Sequence, residues 1–341
     1  MSAQSRNLTD PSRVFEGGDL EAGLRAPEFD MLVVPEDFGP VEVVVDDYKV
    51  KRYAFALDAF SEIALHGAAE GRRIAQAGIL ANDLLQLFTL KYAPSQVVGL
   101  HTEEELWFER PIEVGTRVSL SGRYVEKYEL RGQGYVVMEA RALDERGRVC
   151  IRHRGVEIMR TAPAEVAGRG SAGDSAKRRV SGEFDRSLPL IEKVTPLTPA
   201  GSGLSPVRKE ISAEQMAVFS RVGEYVSNIH NDLRTARAAG LAAPIVQGQQ
   251  LVCLLAERLL EAFGDSWLSS GYLHVKFLKP VEALDTVELG GVVTAIRADA
   301  DGTHADLDVW VGSSGARLNA IGWASCRVGI AENDDSNVVR G

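Results

Sequence analysis

No apolar run in this 341-residue sequence approaches the ~18 residues needed to cross a bilayer, which excludes a helical membrane span. Residues 1–30 are polar and carry no apolar signal core, so a cytoplasmic location is expected. Cysteine is scarce. Cys150, Cys253 and Cys326 lie far apart with no C-x-x-C spacing, which predicts buried free thiols in a reducing compartment rather than disulfides or nucleophiles. Positive charge is in deficit, with 38 Lys and Arg against 48 Asp and Glu, for a formal net charge of −10. That argues against a nucleic-acid partner but leaves room for a phosphorylated ligand, which needs only a few local cations. The six histidines show no ligand spacing, so no metal is expected. There is no glycine-rich phosphate loop and no G-x-S-x-G nucleophile motif.

The remaining composition, 45% hydrophobic and 25% charged, is that of an ordinary globular protein long enough for two domains. The chain repeats itself. Leu106-Trp107-Phe108-Glu109-Arg110-Pro111-Ile112, followed by Val118, Leu120 and Gly122, is echoed by Val275-Lys276-Phe277-Leu278-Lys279-Pro280-Val281, followed by Val287, Leu289 and Gly291. Phe108 and Phe277, Pro111 and Pro280, and Gly122 and Gly291 are each 169 positions apart. Several landmarks in one order indicate a duplicated unit. In the second copy, residues 248–263 place Leu251, Leu255 and Leu259 at helical spacing, with Val252, Cys253, Leu254 and Leu260 on other faces. A helix apolar nearly all round must be surrounded by other structure. Residues 79–88 supply the matching Leu-rich segment in the first copy. Alternating patterns predict strands over 116–124, 134–141, 149–159, 286–296, 304–311 and 317–328. A buried helix with several antiparallel strands is an α+β class, a curved sheet around a helix. The expected organisation is a tail over 1–40, a first domain over 41–160, an Ala-, Gly- and Ser-rich linker over 161–190, a second domain over 191–330 and a tail over 331–341.

The segment 219–248 concentrates the chemistry. Glu224, Asn228 and His230 crowd a carboxylate, an amide and an imidazole into a short turn-prone stretch that runs into the apolar helix beginning at Gly248. Acid, base and positioning groups beside a helix start suit acid–base catalysis. Asp232 reads as a helix cap and as the fallback carboxylate.

The second copy resembles the MaoC-like, or hydratase 2, members of the hot-dog superfamily. Their signature runs Phe-x-x-x-Ser-Gly-Asp-x-Asn-Pro-Ile-His, then Ala-x-x-x-Gly-x-x-x-Pro-Ile-x-x-Gly. The second part stands here as Ala236, Gly240, Pro244, Ile245 and Gly248, and the strand opening Phe277 to Val281 also matches. In the first part, Asn-Pro-Ile-His appears as Ser227-Asn228-Ile229-His230, without the proline. Tyr225 occupies the acid's position, with Glu224 one residue earlier; a one-residue shift lets Glu224 take the acid role. The first copy resembles the degenerate partner domain of double hot-dog enzymes. The resemblance covers residues 41–328 and implies a double hot-dog, two antiparallel sheets each wrapped around a long central helix.

It also implies an (R)-specific enoyl-thioester hydratase or 3-hydroxyacyl-thioester dehydratase. His230 and Glu224 are the acid–base pair, Asn228 a positioning amide, and the Gly248 N–H the donor to the thioester oxygen. Tyr225, Ser227, Gln247 and Gln249 are candidate substrate contacts, with Gln250 beside them. Coenzyme A is the implied carrier, with acyl carrier protein competing, and no other cofactor is expected. Lys276, Lys279, Arg297 and Arg110 are candidates for its phosphates, though a solvated strand-edge charge is the better reading of each. The first copy lacks the site, since His66 follows Phe60 too closely and no carboxylate–amide pair precedes it, so His66 reads as structural. Two alternatives remain open: thioester hydrolysis, and a non-catalytic acyl-thioester-binding subunit. Either a monomer or a homodimer of chains is compatible with the duplication.

Overall fold

A computed structural model describes residues 21–67, 71–97, 99–159, 179–220, 228–313 and 317–329. The first half contains β1 (Glu36–Val44), α1 (Asp47–Leu57), α2 (Glu62–Leu65), α3 (Ala81–Leu85), β2 (Gly99–Phe108), β3 (Arg117–Leu130), β4 (Gln133–Leu143) and β5 (Val149–Met159). The second contains β6 (Val207–Glu210), α4 (Ala213–Phe219), α5 (Leu233–Ala238), α6 (Gly248–Phe263), α7 (Trp267–Ser270), β7 (Tyr272–Phe277), β8 (Thr286–Asp299), β9 (Gly302–Ser313) and β10 (Arg317–Arg327). The 169-residue spacing carries through: β3 and β8, and β4 and β9, begin 169 positions apart.

The strands form one ten-stranded antiparallel sheet in the order β1-β3-β4-β5-β2-β7-β10-β9-β8-β6. This corrects the expectation of two sheets. β2 and β7, equivalent strands of the two copies, pair with each other and leave no free edge between the halves. Their register places Glu105 opposite His274, residues 169 positions apart, so the pseudo-two-fold relation passes through that pair. On one face of this seam Leu106, Leu273 and Val275 are fully buried. On the other face, Glu105 accepts from Arg154 at 3.2 Å and from the Tyr272 hydroxyl at 2.7 Å, and Glu103 pairs with His274 and Lys276.

Among the described residues the long helix is present once. α6 runs sixteen residues, and Leu251 to Leu255 and Leu259 are all buried against strands of both halves. Residues 79–88, expected to match it, instead form the five-residue α3 and a 3-10 turn over Gln86–Leu90. Local chemistry explains the break. The Thr89 hydroxyl bonds back to the Gln86 carbonyl at 2.8 Å, Asp83 is held by Lys49 at 2.6 Å, and Pro94 forces Ala93 into extended backbone.

Residues expected as tail and linker also pack. Phe29, Leu32 and Phe38 are buried and β1 begins at Glu36, so the folded chain starts well before position 41. Most of the expected linker, including Lys177 and Arg178, lies outside the described residues. From Arg179 onward the chain is a loop that pins Val194 N–H to the Ala262 carbonyl at 2.9 Å and Gly201 N–H to Val293 at 2.7 Å. The three cysteines are free and buried. One hydrophobic cluster runs from Phe29 to Val328 through both halves.

Candidate active site

His230 sits in a loop that its neighbours organise. The Asn228 side-chain oxygen accepts from the His230 backbone N–H at 2.8 Å, and the Asn231 side chain accepts from Asn228 N–H at 2.9 Å. Asp232 caps α5, accepting from Thr235 N–H at 2.7 Å and from its hydroxyl at 2.9 Å. Those bonds hold the Asp232 carboxyl below its ordinary value, which makes it a poor proton donor. Ile229 fixes the loop from below, packing with Ala239 and Ile245. Glu224, Tyr225 and Ser227 lie outside the described residues.

The His230 ring meets the Ile245 carbonyl through Nδ1 at 2.8 Å. A carbonyl only accepts, so the proton resides on Nδ1 and Nε2 keeps its lone pair. Burial pushes the imidazole down to about 4, so it is neutral near pH 7.

His230, Asn228 and Gly248 line one cavity of about 380 Å³, together with Gln247, Leu251, Phe277 and the turn bearing Leu85 and Phe88. Gly248 is the first residue of α6, and Gln247 before it gives no side-chain cap. Intrahelical bonding leaves the first-turn N–H groups open, and the helix dipole adds positive potential there. Glycine at 248 has a packing reason as well, since a Cβ would stand 3.0 Å from Cζ of Phe277.

The glutamines divide. Gln247 lines the cavity, with its Nε2 donating to Asn82 at 2.9 Å. Gln249 is fully buried away from the lining and donates to Glu104 at 3.2 Å, while Gln250 donates to the Ala56 carbonyl at 2.9 Å. Lys279 lines the cavity, whereas Lys276 faces Glu103 at 3.5 Å and Arg297 faces Asp306 at 2.8 Å. His66, expected to be structural, is an exposed side chain 4.0 Å from Glu62.

The sequence reading missed the cavity's other polar wall. His101, Thr102 and Glu157 line it from β2 and β5. Behind them, Glu104 Oε2 lies 3.0 Å from Nε2 of both His101 and His153. The available signal was the alternation His153, Gly155, Glu157, which puts three residues on one face of a strand. His101 and Glu104, three positions apart, share that face only because a β-bulge falls between His101 and Glu103.

No protein-family model matches the chain, and no curated protein matches it in sequence. Among solved structures it is similar to a MaoC-like dehydratase, with a TM-score of 0.66 at 17% identity over 91% of this chain and 100% of the other. It is similar to a conserved hypothetical protein from Mycobacterium tuberculosis with a double hot-dog fold, at a TM-score of 0.60 and 16% identity over 89% and 98% of the two chains. A MaoC-like dehydratase from Phytophthora capsici superposes at 0.58 and 13% identity over 87% and 96%. At these identities the likeness establishes the fold. The chain has the double hot-dog architecture of MaoC-like dehydratases, and it covers nearly all of each of these structures.

Proposed function

We propose that the protein adds water reversibly to a 2-enoyl thioester, or removes it from an (R)-3-hydroxyacyl thioester. The observation that carries this reading is a neutral His230, its Nδ1 tied to the Ile245 carbonyl, on the same cavity as the uncapped helix start at Gly248. In the hydration direction, Nε2 of His230 takes a proton as the water oxygen bonds to C3. Negative charge moves to the thioester oxygen, where the Gly248 N–H receives it. Glu224, as the acid, gives a proton to C2, and the proton on His230 returns to the Glu224 carboxylate through solvent. Likeness to dehydratases favours this chemistry over thioester hydrolysis, and the apolar part of the lining suits an acyl chain. Coenzyme A is the proposed carrier, with Lys279 at the lining available to a phosphate.

The test follows loss of enoyl-thioester conjugation by purified protein. His230→Ala and Glu224→Gln should each lower kcat by about 10²–10⁴-fold, the usual contribution of a positioned acid or base. Hydration that survives both substitutions overturns the assignment. Release of free thiol without hydration would identify a thioesterase, and binding without either would identify a binding subunit.

A further inference from the structure

The second polar wall of the cavity belongs wholly to the first half of the chain. His101 and Glu157 are register partners on β2 and β5, so their side chains leave the sheet side by side. The interior behind them is built to hold this arrangement. Gln249 at the start of α6 donates to Glu104 Oε1, while Oε2 lies 3.0 Å from both the His101 and His153 imidazoles. Gly155 leaves the room for it, because a Cβ there would stand 3.1 Å from Glu104 Oε2 and 3.0 Å from His153 Cε1.

His101 is the member of this cluster that reaches the cavity. Its side chain is only 8% exposed; Nε2 lies 3.0 Å from Glu104 Oε2, while Nδ1 has no aligned hydrogen-bond partner within the protein. Burial opposes charge on the ring, yet the Glu104 carboxylate prevails and raises its pKa above the ordinary imidazole value. Burial likewise raises the Glu157 carboxyl, so it holds its proton more tightly. The Glu104 carboxylate thus favours a proton on the His101 ring, and burial shifts Glu157 toward its protonated form. A buried donor without an acceptor is costly, and a bound acceptor relieves that cost. Among the described residues no set of three such side chains is placed to hold a metal ion.

The position of this wall fixes which part of a ligand it meets. The Phe277 ring stands against Gly248 on one side and 4.9 Å, centroid to centroid, from the His101 ring on the other. One aromatic ring thus separates the helix start from His101. A plain aliphatic chain would desolvate His101 without satisfying it.

We propose that His101 and Glu157 form a specificity subsite for an acyl chain bearing an oxygen acceptor, a hydroxyl or carbonyl oxygen a few atoms beyond the reacting double bond. This rests on the thioester reading above. Leu85, Phe88, Leu251 and Ile158 then enclose the apolar part of the chain.

The experiment compares 2-enoyl-coenzyme A thioesters matched in length, one aliphatic and one bearing a hydroxyl or keto oxygen. The protein should favour the oxygenated chain in kcat/KM by about 10–100-fold, in line with a hydrogen bond from a charged donor. His101→Phe should reduce that ratio to about threefold or less, whereas His101→Gln, which keeps a donor, should retain part of it. Glu157→Gln should retain part of it also. No preference in the parent protein, or a preference that survives His101→Phe, overturns the subsite. Saturated thioesters of the same two chains, titrated calorimetrically, separate the subsite from catalysis. Tighter binding of the oxygenated chain without any hydration would sink the hydratase reading and leave the subsite standing. Equal affinities, or no binding of either, would overturn the subsite.

Discussion

Burial of His230 pushes its imidazole down to about 4, and the Ile245 carbonyl fixes the remaining proton on Nδ1. Only the neutral ring serves as a base, so the acid limb of kcat/KM should have its midpoint near 4 and the rate should be level between about pH 5.5 and 7.5. A limb centred near the ordinary imidazole value of 6.5 would show that burial does not depress this histidine. Stability carries the same sign. A histidine whose folded pKa is depressed contributes stability that is present above 6.5 and lost as pH falls through about 4, so His230→Gln should flatten the acid side of the stability profile. Much of this residue-level picture was legible beforehand. His230 and Gly248 stood in a spaced motif, and Asp232 read as the cap of the helical turn that follows it. His101 was not legible, because one inserted residue on β2 reverses which side chains face inward and no alternation pattern reports a bulge; Glu157 stood in the β5 alternation, but nothing in the sequence tied that face to His230.

Among the elements, α6 is tied to the first half by a polar contact in an apolar setting. The Tyr53 hydroxyl on α1 donates to Glu257 Oε1 at 2.9 Å, and Gly78 N–H reaches the same oxygen at 3.4 Å. Burial raises the Glu257 carboxyl to about 7. An acid with a raised folded pKa contributes stability that is present below its ordinary 4.5 and lost as pH rises through about 7. Glu257→Gln keeps an acceptor for Tyr53 and Gly78 and removes the buried charge. It should therefore raise Tm by roughly 3–6 °C at pH 8 and change it little at pH 5, as followed by circular dichroism. An equal shift at both pH values would show that the charge is not what matters. The strands around this helix were readable from alternation and from the 169-residue echo, within three residues for β4, β5 and β8–β10, while β3 runs six residues beyond its expected end. The matching helix of the first copy was not. Leu-rich spacing over 79–88 says nothing of the side-chain bonds of Asp83 and Thr89, which turn that segment into α3 and a 3-10 turn.

For the whole molecule, duplication at the level of sequence has become continuity at the level of the sheet. Two copies with separate cores would unfold separately, but β2 and β7 join them into one ten-stranded sheet, and the hydrophobic cluster crosses the junction. Leu106 and Leu273 face each other there, and both are fully buried. No residue pattern announced this pairing, since strands that face an equivalent strand look the same as strands at an exposed edge. The site depends on it, because His230 and Gly248 come from the second half while His101 and Glu157 come from the first. Truncating Leu273 to Ala should cost about 2–5 kcal/mol, the range for a buried leucine whose cavity does not collapse. If the halves are one cooperative unit, that loss will appear equally in the slowest-exchanging amides of β3 and β4 and in those of β8 and β9, and calorimetry will show one transition whose enthalpy matches its van't Hoff value. Faster exchange confined to β8 and β9, or a second thermal transition, would mean that the halves fold as independent domains that merely share an edge.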